Sequence, residues 1–202
     1  MIPFFYSIFI VAAVWLGAIA IVDRFKSIPS TPLLHAGLGL ATFFILLVPI
    51  GDFPLWKASF SLYPNPSLLT VGLVVAALWR RLFGFALLRA TERRAGWIFG
   101  AVVGSVLYLH QMIYGRIDLY FWGWNRDAAI WCMAAIGVAF LAAGNRLGVL
   151  FLGALIAYSC DTLESANGWD YLIDPVLWLA GLGIFFFRTT FWIFARFRPA
   201  AA

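Results

Sequence analysis

Charge is what this sequence has least of. Asp, Glu, Lys and Arg make up 11% of the 202 residues while 64% are hydrophobic, against roughly a quarter charged in soluble domains. So few ionic groups cannot cover a water-exposed surface. An ordinary soluble globule is excluded, and lipid is the expected solvent. No long polar stretch interrupts the chain, which leaves no room for a separate aqueous domain: residues 1–202 read as one integral membrane domain.

Other scarcities exclude particular chemistries. Lys26 and Lys57 are the only lysines, so the last apolar segment offers no amine on which a retinal Schiff base could form. Cys132 and Cys160 are the only cysteines; an oxidising face would permit a bridge, but its Cα atoms must lie within about 7 Å, and two free thiols are the simpler expectation. There is no H-E-x-x-H, C-x-x-C, G-x-S-x-G or Walker-type glycine loop and no EF-hand pattern, which removes the commonest metal, nucleophile and nucleotide signatures. Asn65 is followed by proline, so no N-x-S/T site exists. Residues 3–22 lack a basic segment before them and carry Arg24 and Lys26 after them, so they are expected to be a retained span and not a cleaved signal.

What is abundant is apolar sequence in long runs. Seven segments are predicted: about 3–22, 32–50, 66–88, 95–115, 128–143, 147–163 and 175–195. Helix-start chemistry marks several of them. Thr31-Pro32, Asn65-Pro66 and Asp174-Pro175 each place a capping side chain before a proline, whose missing N–H is harmless at the first helical position. Asp127 is expected to cap the fifth segment. The fold class is therefore all-α, a polytopic transmembrane helical bundle of about seven spans. Between the second and third segments, Asp52 is expected to cap a short helix with Trp56, Phe60 and Tyr63 on one face, lying along the membrane surface. Leu119 to Trp124 gathers four aromatics, a composition typical of the interfacial belt.

The basic residues set the orientation. Arg24, Lys26, Arg80, Arg81, Arg89, Arg93, Arg94, Arg146, Arg188, Arg196 and Arg198 fall on one set of alternating connections, and Lys57, Arg116 and Arg126 on the other. By the positive-inside rule the first set is cytoplasmic, with the N-terminus outside and the C-terminus inside. The net charge of +5 is thus accounted for at span ends, and nucleic acid is not an expected partner. The cell inner (plasma) membrane is the expected location. Asp161, Glu164, Asp170 and Asp174, four of nine acids, then crowd the last outer loop.

Candidate chemistry follows from these placements. Asp161, Glu164 and Asp170, with His110 near the outer end of the fourth segment, form the candidate catalytic set: carboxylates with one imidazole can act as an acid and base pair or hold a hard divalent cation. No particular metal or cofactor is implied. Arg116 is a candidate phosphate holder on the outer side. Arg80 and Arg81, fifteen residues into the third segment, read either as arginines reaching to the inner interface or as an anion site for a lipid phosphate. His35 reads as a satisfied histidine. Gly96, Gly100 and Gly104 form a stripe for close helix packing, either within the chain or against a membrane partner.

Three functions fit. A non-catalytic subunit or accessory component of a larger membrane assembly is favoured by the absence of catalytic signatures. An outer-face enzyme on a lipid-linked or envelope substrate would use the candidate set above. A small transporter or channel would need polar residues in mid-span, and these are scarce.

Overall fold

The computed structural model describes residues 4–25, 31–114 and 118–196, with side chains described in all of these except 111–114 and 191–196. The chain is all-helical in class. Seven long helices correspond to the seven predicted segments: α1 (Phe4–Val22), α2 (Pro32–Leu47), α4 (Leu68–Phe83), α5 (Ala90–Tyr114), α6 (Arg126–Ala142), α7 (Leu147–Ser159) and α9 (Pro175–Arg196). Two shorter ones, α3 (Leu55–Leu62) and α8 (Trp169–Leu172), lie in connections, as does a 3-10 turn at Phe121–Trp124. Among the described residues only α1 is both long and apolar enough to cross a bilayer unaided; Pro32–Leu47, Leu147–Ser159 and Pro175–Thr190 are apolar but shorter.

Helix limits follow local chemistry. Thr31 caps α2 as expected, its side chain accepting from Leu34 N–H at 3.2 Å. The cap of α4 is Ser67, not Asn65: its hydroxyl accepts from Thr70 N–H at 3.2 Å. Likewise Asn125 and not Asp127 caps α6, accepting from Ala128 N–H at 3.1 Å. α4 stops five residues early because Gly84 takes the left-handed conformation, φ +77°, and its N–H closes on Arg80 O. Asp52 caps nothing; Pro49–Ile50 (β1) pairs antiparallel with Phe53–Pro54 (β2), and Asp52 sits in the turn between them. The surface helix α3 does form. Its aromatic face packs on α1, with Tyr6 O–H donating to Trp56 O at 2.9 Å and Phe9 edge-on to Tyr63 at 5.4 Å.

α4 joins two cores. Its Leu69, Leu73 and Ala76 belong to the main core with Leu147, Phe151, Ala154 and Leu177, while Leu78 packs with Ala12 and Ile19 of α1. Glycines let two helix pairs approach backbone to backbone. A Cβ added at Gly181 of α9 would meet Trp97 O of α5 at 2.6 Å, and one at Gly148 of α7 would meet Gly137 O of α6 at 2.5 Å. The Gly96, Gly100 and Gly104 stripe is filled from inside the chain, by Leu73, Leu177 and Trp178 respectively. The stripe is therefore packed against α4 and α9 within the chain.

The polar residues sort into two ends. At one, Arg81 pairs with Asp23 at 2.6 Å and Arg146 with Glu92 at 3.1 Å. At the other, Asp174 ties two helix starts together. Its Oδ1 accepts Leu177 N–H at 2.8 Å, capping α9 as expected, and its Oδ2 accepts Ser67 N–H at 2.9 Å and the Thr70 hydroxyl.

Two stability predictions follow from this packing. Gly148→Ala is expected to lower the melting temperature in detergent, with overpacking costing at least 1–3 kcal/mol, order of magnitude, because the obstruction is backbone. Gly183→Ala, with nothing within 4 Å of its Cβ, is expected to be neutral or slightly stabilising. Asp174→Ala removes a cap and strands two buried donors, an expected loss on the order of 3 kcal/mol. Asp174→Asn keeps one acceptor oxygen, so thermal unfolding of the pair is expected to rank it well above the alanine variant.

Candidate functional site

The loop that gathers the acids is a folded plug. Asn167 is fully buried; its Nδ2 donates to Tyr120 O at 3.1 Å and its Oδ1 accepts Trp169 N–H at 2.9 Å. Trp169 Nε1 donates to Leu119 O at 3.1 Å, and Leu163 N–H donates to the buried Tyr171 oxygen at 3.1 Å. Gly123 allows this contact, since a Cβ there would lie 1.8 Å from Asn167 Oδ1. The loop therefore closes the end of the bundle over α4, α6 and α7.

Within the plug the expected catalytic residues separate. Asp161 lies just past α7 with φ +49°, a left-handed stop that Asp tolerates better than most residues. Its exposed side chain pairs with Arg126 at 3.3 Å. Asp170 belongs to another network, accepting from the Tyr120 hydroxyl at 2.6 Å and from the Ser165 hydroxyl. Burial pushes its carboxyl up, and those two hydroxyls partly offset the rise. Glu164 is exposed and His110 half-buried near the end of α5. Among the described residues no three of His, Cys, Asp and Glu group as a metal site requires, so the expected carboxylate and imidazole cation site is not formed by them. Arg116 lies outside the described residues. Cys132 and Cys160 are free and exposed.

The opposite end holds a cavity of about 720 Å³. Two helix ends, of α1 and α4, and two helix starts, of α2 and α5, build it. Leu16 and Ala20 of α1 and Ala77 of α4 form an apolar wall; Arg80, Arg81, Arg93 and His35 form the polar part. The two arginines singled out from the sequence are thus brought together with a third. Arg93 was legible only as an orientation charge, because the helix begins at Ala90 and not at about 95; the earlier start puts Arg93 on its second turn facing α4. His35 is buried, and its backbone carbonyl accepts Trp15 Nε1–H at 2.8 Å.

The charges around this cavity are unequally neutralised. Arg81 is engaged by Asp23, and Arg93 donates to Leu88 O at 2.8 Å. Arg80 has no ion pair or hydrogen bond among the described residues. The neighbouring Glu92 does not help, because it is spent on Arg146: its carboxylate accepts from Arg146 N–H at 3.2 Å, from Arg146 Nε at 3.1 Å and from Arg89 N–H at 2.5 Å. The cavity is left with excess positive charge.

Glu92 precedes the apolar part of α5, and its titration is measurable. Burial raises the carboxyl, but hydrogen bonds from Arg146 and from the Arg89 backbone outweigh it and hold the pKa at about 2, below the usual 4.5. A carboxyl depressed by folding contributes stability above its unfolded pKa and loses it as pH falls. The expected loss runs between pH about 4.5 and 2, and is on the order of 2 kcal/mol after discounting for the half-exposed Arg146. Melting curves in detergent across this range are expected to slope downward for the wild type and to flatten for Glu92→Gln.

No protein-family model matches the chain, no curated protein matches it and no solved structure matches it, so its function is argued from its own residues and their arrangement.

Proposed function

We propose that the chain is a multi-pass protein of the cell inner membrane, with seven spans, an outer N-terminus and a cytoplasmic C-terminus, acting as a non-catalytic subunit or accessory component of a larger membrane assembly. The membrane reading is supported by apolar surface between two polar ends. Trp131 and Phe187 are each 75% exposed, and Phe185 and Phe186 about as much, a surface that water would penalise and lipid would not. Phe121, Trp122 and Trp124 are exposed at the aromatic end, where an interfacial belt belongs. The short α7, about 20 Å long at 1.5 Å per residue, is the most enclosed helix, with Leu147, Phe151 and Ala154 at 0% exposure. One face of it, with Val149 and Ile156 exposed, is left to the lipid.

The non-catalytic reading rests on one observation: the outer carboxylates best placed for chemistry are committed to structure. Asp174 ties α4 to α9, Asp170 braces the plug through Tyr120, and Asp161 ends α7 and meets Arg126. This supports the assembly role over the outer-face enzyme.

Cysteine labelling and native electrophoresis test the two halves separately. In a background with Cys132 and Cys160 replaced by serine, Glu164→Cys is expected to react with an impermeant maleimide only from outside, and Arg94→Cys only after permeabilisation. The reverse pattern would invert the orientation. Extracted gently from its native membrane, the chain is expected to migrate with a stoichiometric companion; migration as a lone chain of 22.5 kDa plus detergent would overturn the assembly role.

A further inference from the structure

We infer that the cavity between α1, α2, α4 and α5 binds a phosphate monoester. This deepens the reading above, on which only the source of the ligand depends: in the proposed orientation the cavity opens at the inner leaflet, where such a group is a lipid headgroup.

Three features carry it. First, the size is right: about 720 Å³ lies inside the range of roughly 300–1,000 Å³ common for small-ligand sites. Second, the charge is right. Asp23 on α1 answers Arg81, Glu92 on α5 is held by Arg146, and Arg80 and Arg93 remain without a carboxylate partner among the described residues. Two uncompensated guanidiniums match a dianion, and their planar donor forks suit phosphate oxygens better than a point charge does. Third, the lining is two-sided. Leu16, Ala20 and Ala77 sit against the arginines, so an ester carrying an apolar tail would find hydrocarbon on one side and guanidinium on the other.

The arrangement also distinguishes a site from an anchor. Arginines that merely hold a helix end at the interface need no common cavity and accept any anionic headgroup. Here one guanidinium from α5 and two from α4 face the same space.

The test uses the full chain in an uncharged detergent, titrated with short-chain phosphatidate, phosphatidylglycerol, phosphatidylcholine and inorganic phosphate. Phosphatidate is expected to bind at least about tenfold more tightly than phosphatidylglycerol, and phosphatidylcholine not to compete. Arg80→Gln and Arg93→Gln are each expected to weaken phosphatidate binding about ten- to a hundredfold, the loss of one charge-assisted hydrogen bond. Arg94→Gln, an exposed arginine outside the cavity, is expected to leave it within about threefold. Arg80→Lys keeps the charge without the fork and is expected to fall between; it also serves if the glutamine variant is unstable. Displacement by inorganic phosphate at similar affinity assigns the site to a soluble phosphate, and failure to displace assigns it to the lipid; either supports the inference. Equal binding of phosphatidate and phosphatidylglycerol, or wild-type affinity in both Arg80 variants, overturns it. A wrong orientation would appear in the cysteine labelling and leave phosphate binding intact.

Discussion

The bundle depends on how buried helix starts find acceptors for their N–H groups. Every helix leaves its first amides without intrahelical partners, and in an apolar interior each one left unpaired costs 1–3 kcal/mol, order of magnitude. Asp174 meets that demand for two helices at once, one oxygen serving α9 and the other the start of α4. Because Asp174 travels with α9 while Ser67 and Thr70 belong to the start of α4, α9 cannot slide along α4 without losing the bonds from Ser67 N–H and the Thr70 hydroxyl. That fixed point sets where Leu177 and Trp178 meet Gly100 and Gly104 on α5.

The same demand places other polar residues at helix starts. Helices α4, α6 and α9 all begin at the aromatic end, and Asn125, Asp127 and Asp174 stand at or in their first turns. The one acid in the first turn of α5, which starts at the arginine end, is Glu92, and it accepts the Arg89 N–H that the helix leaves open. Asp174, Glu92 and Asp118 thus stand at amides that need them, while Asp170 under Tyr120 and Asp161 at the end of α7 hold the plug and Asp23 answers Arg81.

Much of this was legible in the residues. Apolar runs bounded by Pro and capping residues located all seven long helices, and Thr31 and Asp174 were read correctly as caps. The misplacements share a cause. Asn65, Asp52 and Asp127 carry capping side chains, but which of several adjacent candidates is used depends on backbone direction: Ser67 lies beside Asp174, and Asn125 is followed by the helical residue Arg126. Those are tertiary facts, a hundred residues apart in the first case. The cationic cavity was half legible. Arg80 and Arg81 stand out because they interrupt an apolar run; Arg93 hides among loop arginines until the helix is known to start at Ala90. The separation of Asp161 from Asp170 had no signal, because it arises from the fold of the plug around Asn167.

The helix ends also bear on the proposed orientation, because the dipole and the membrane compete to explain where arginine sits. A cation near a helix C-terminus gains about 0.3–1 kcal/mol whichever way the helix faces. Arg80 and Arg81 in the last turn of α4 satisfy that rule and so say little about sidedness. Arg89, Arg93 and Arg94 do not satisfy it. They stand at the start of α5, where the dipole disfavours positive charge and a single glutamate answers it. In the proposed orientation all three lie on the cytoplasmic side, where basic residues are retained. The proposed orientation therefore draws most on Arg89, Arg93 and Arg94, three arginines that helix energetics alone does not favour.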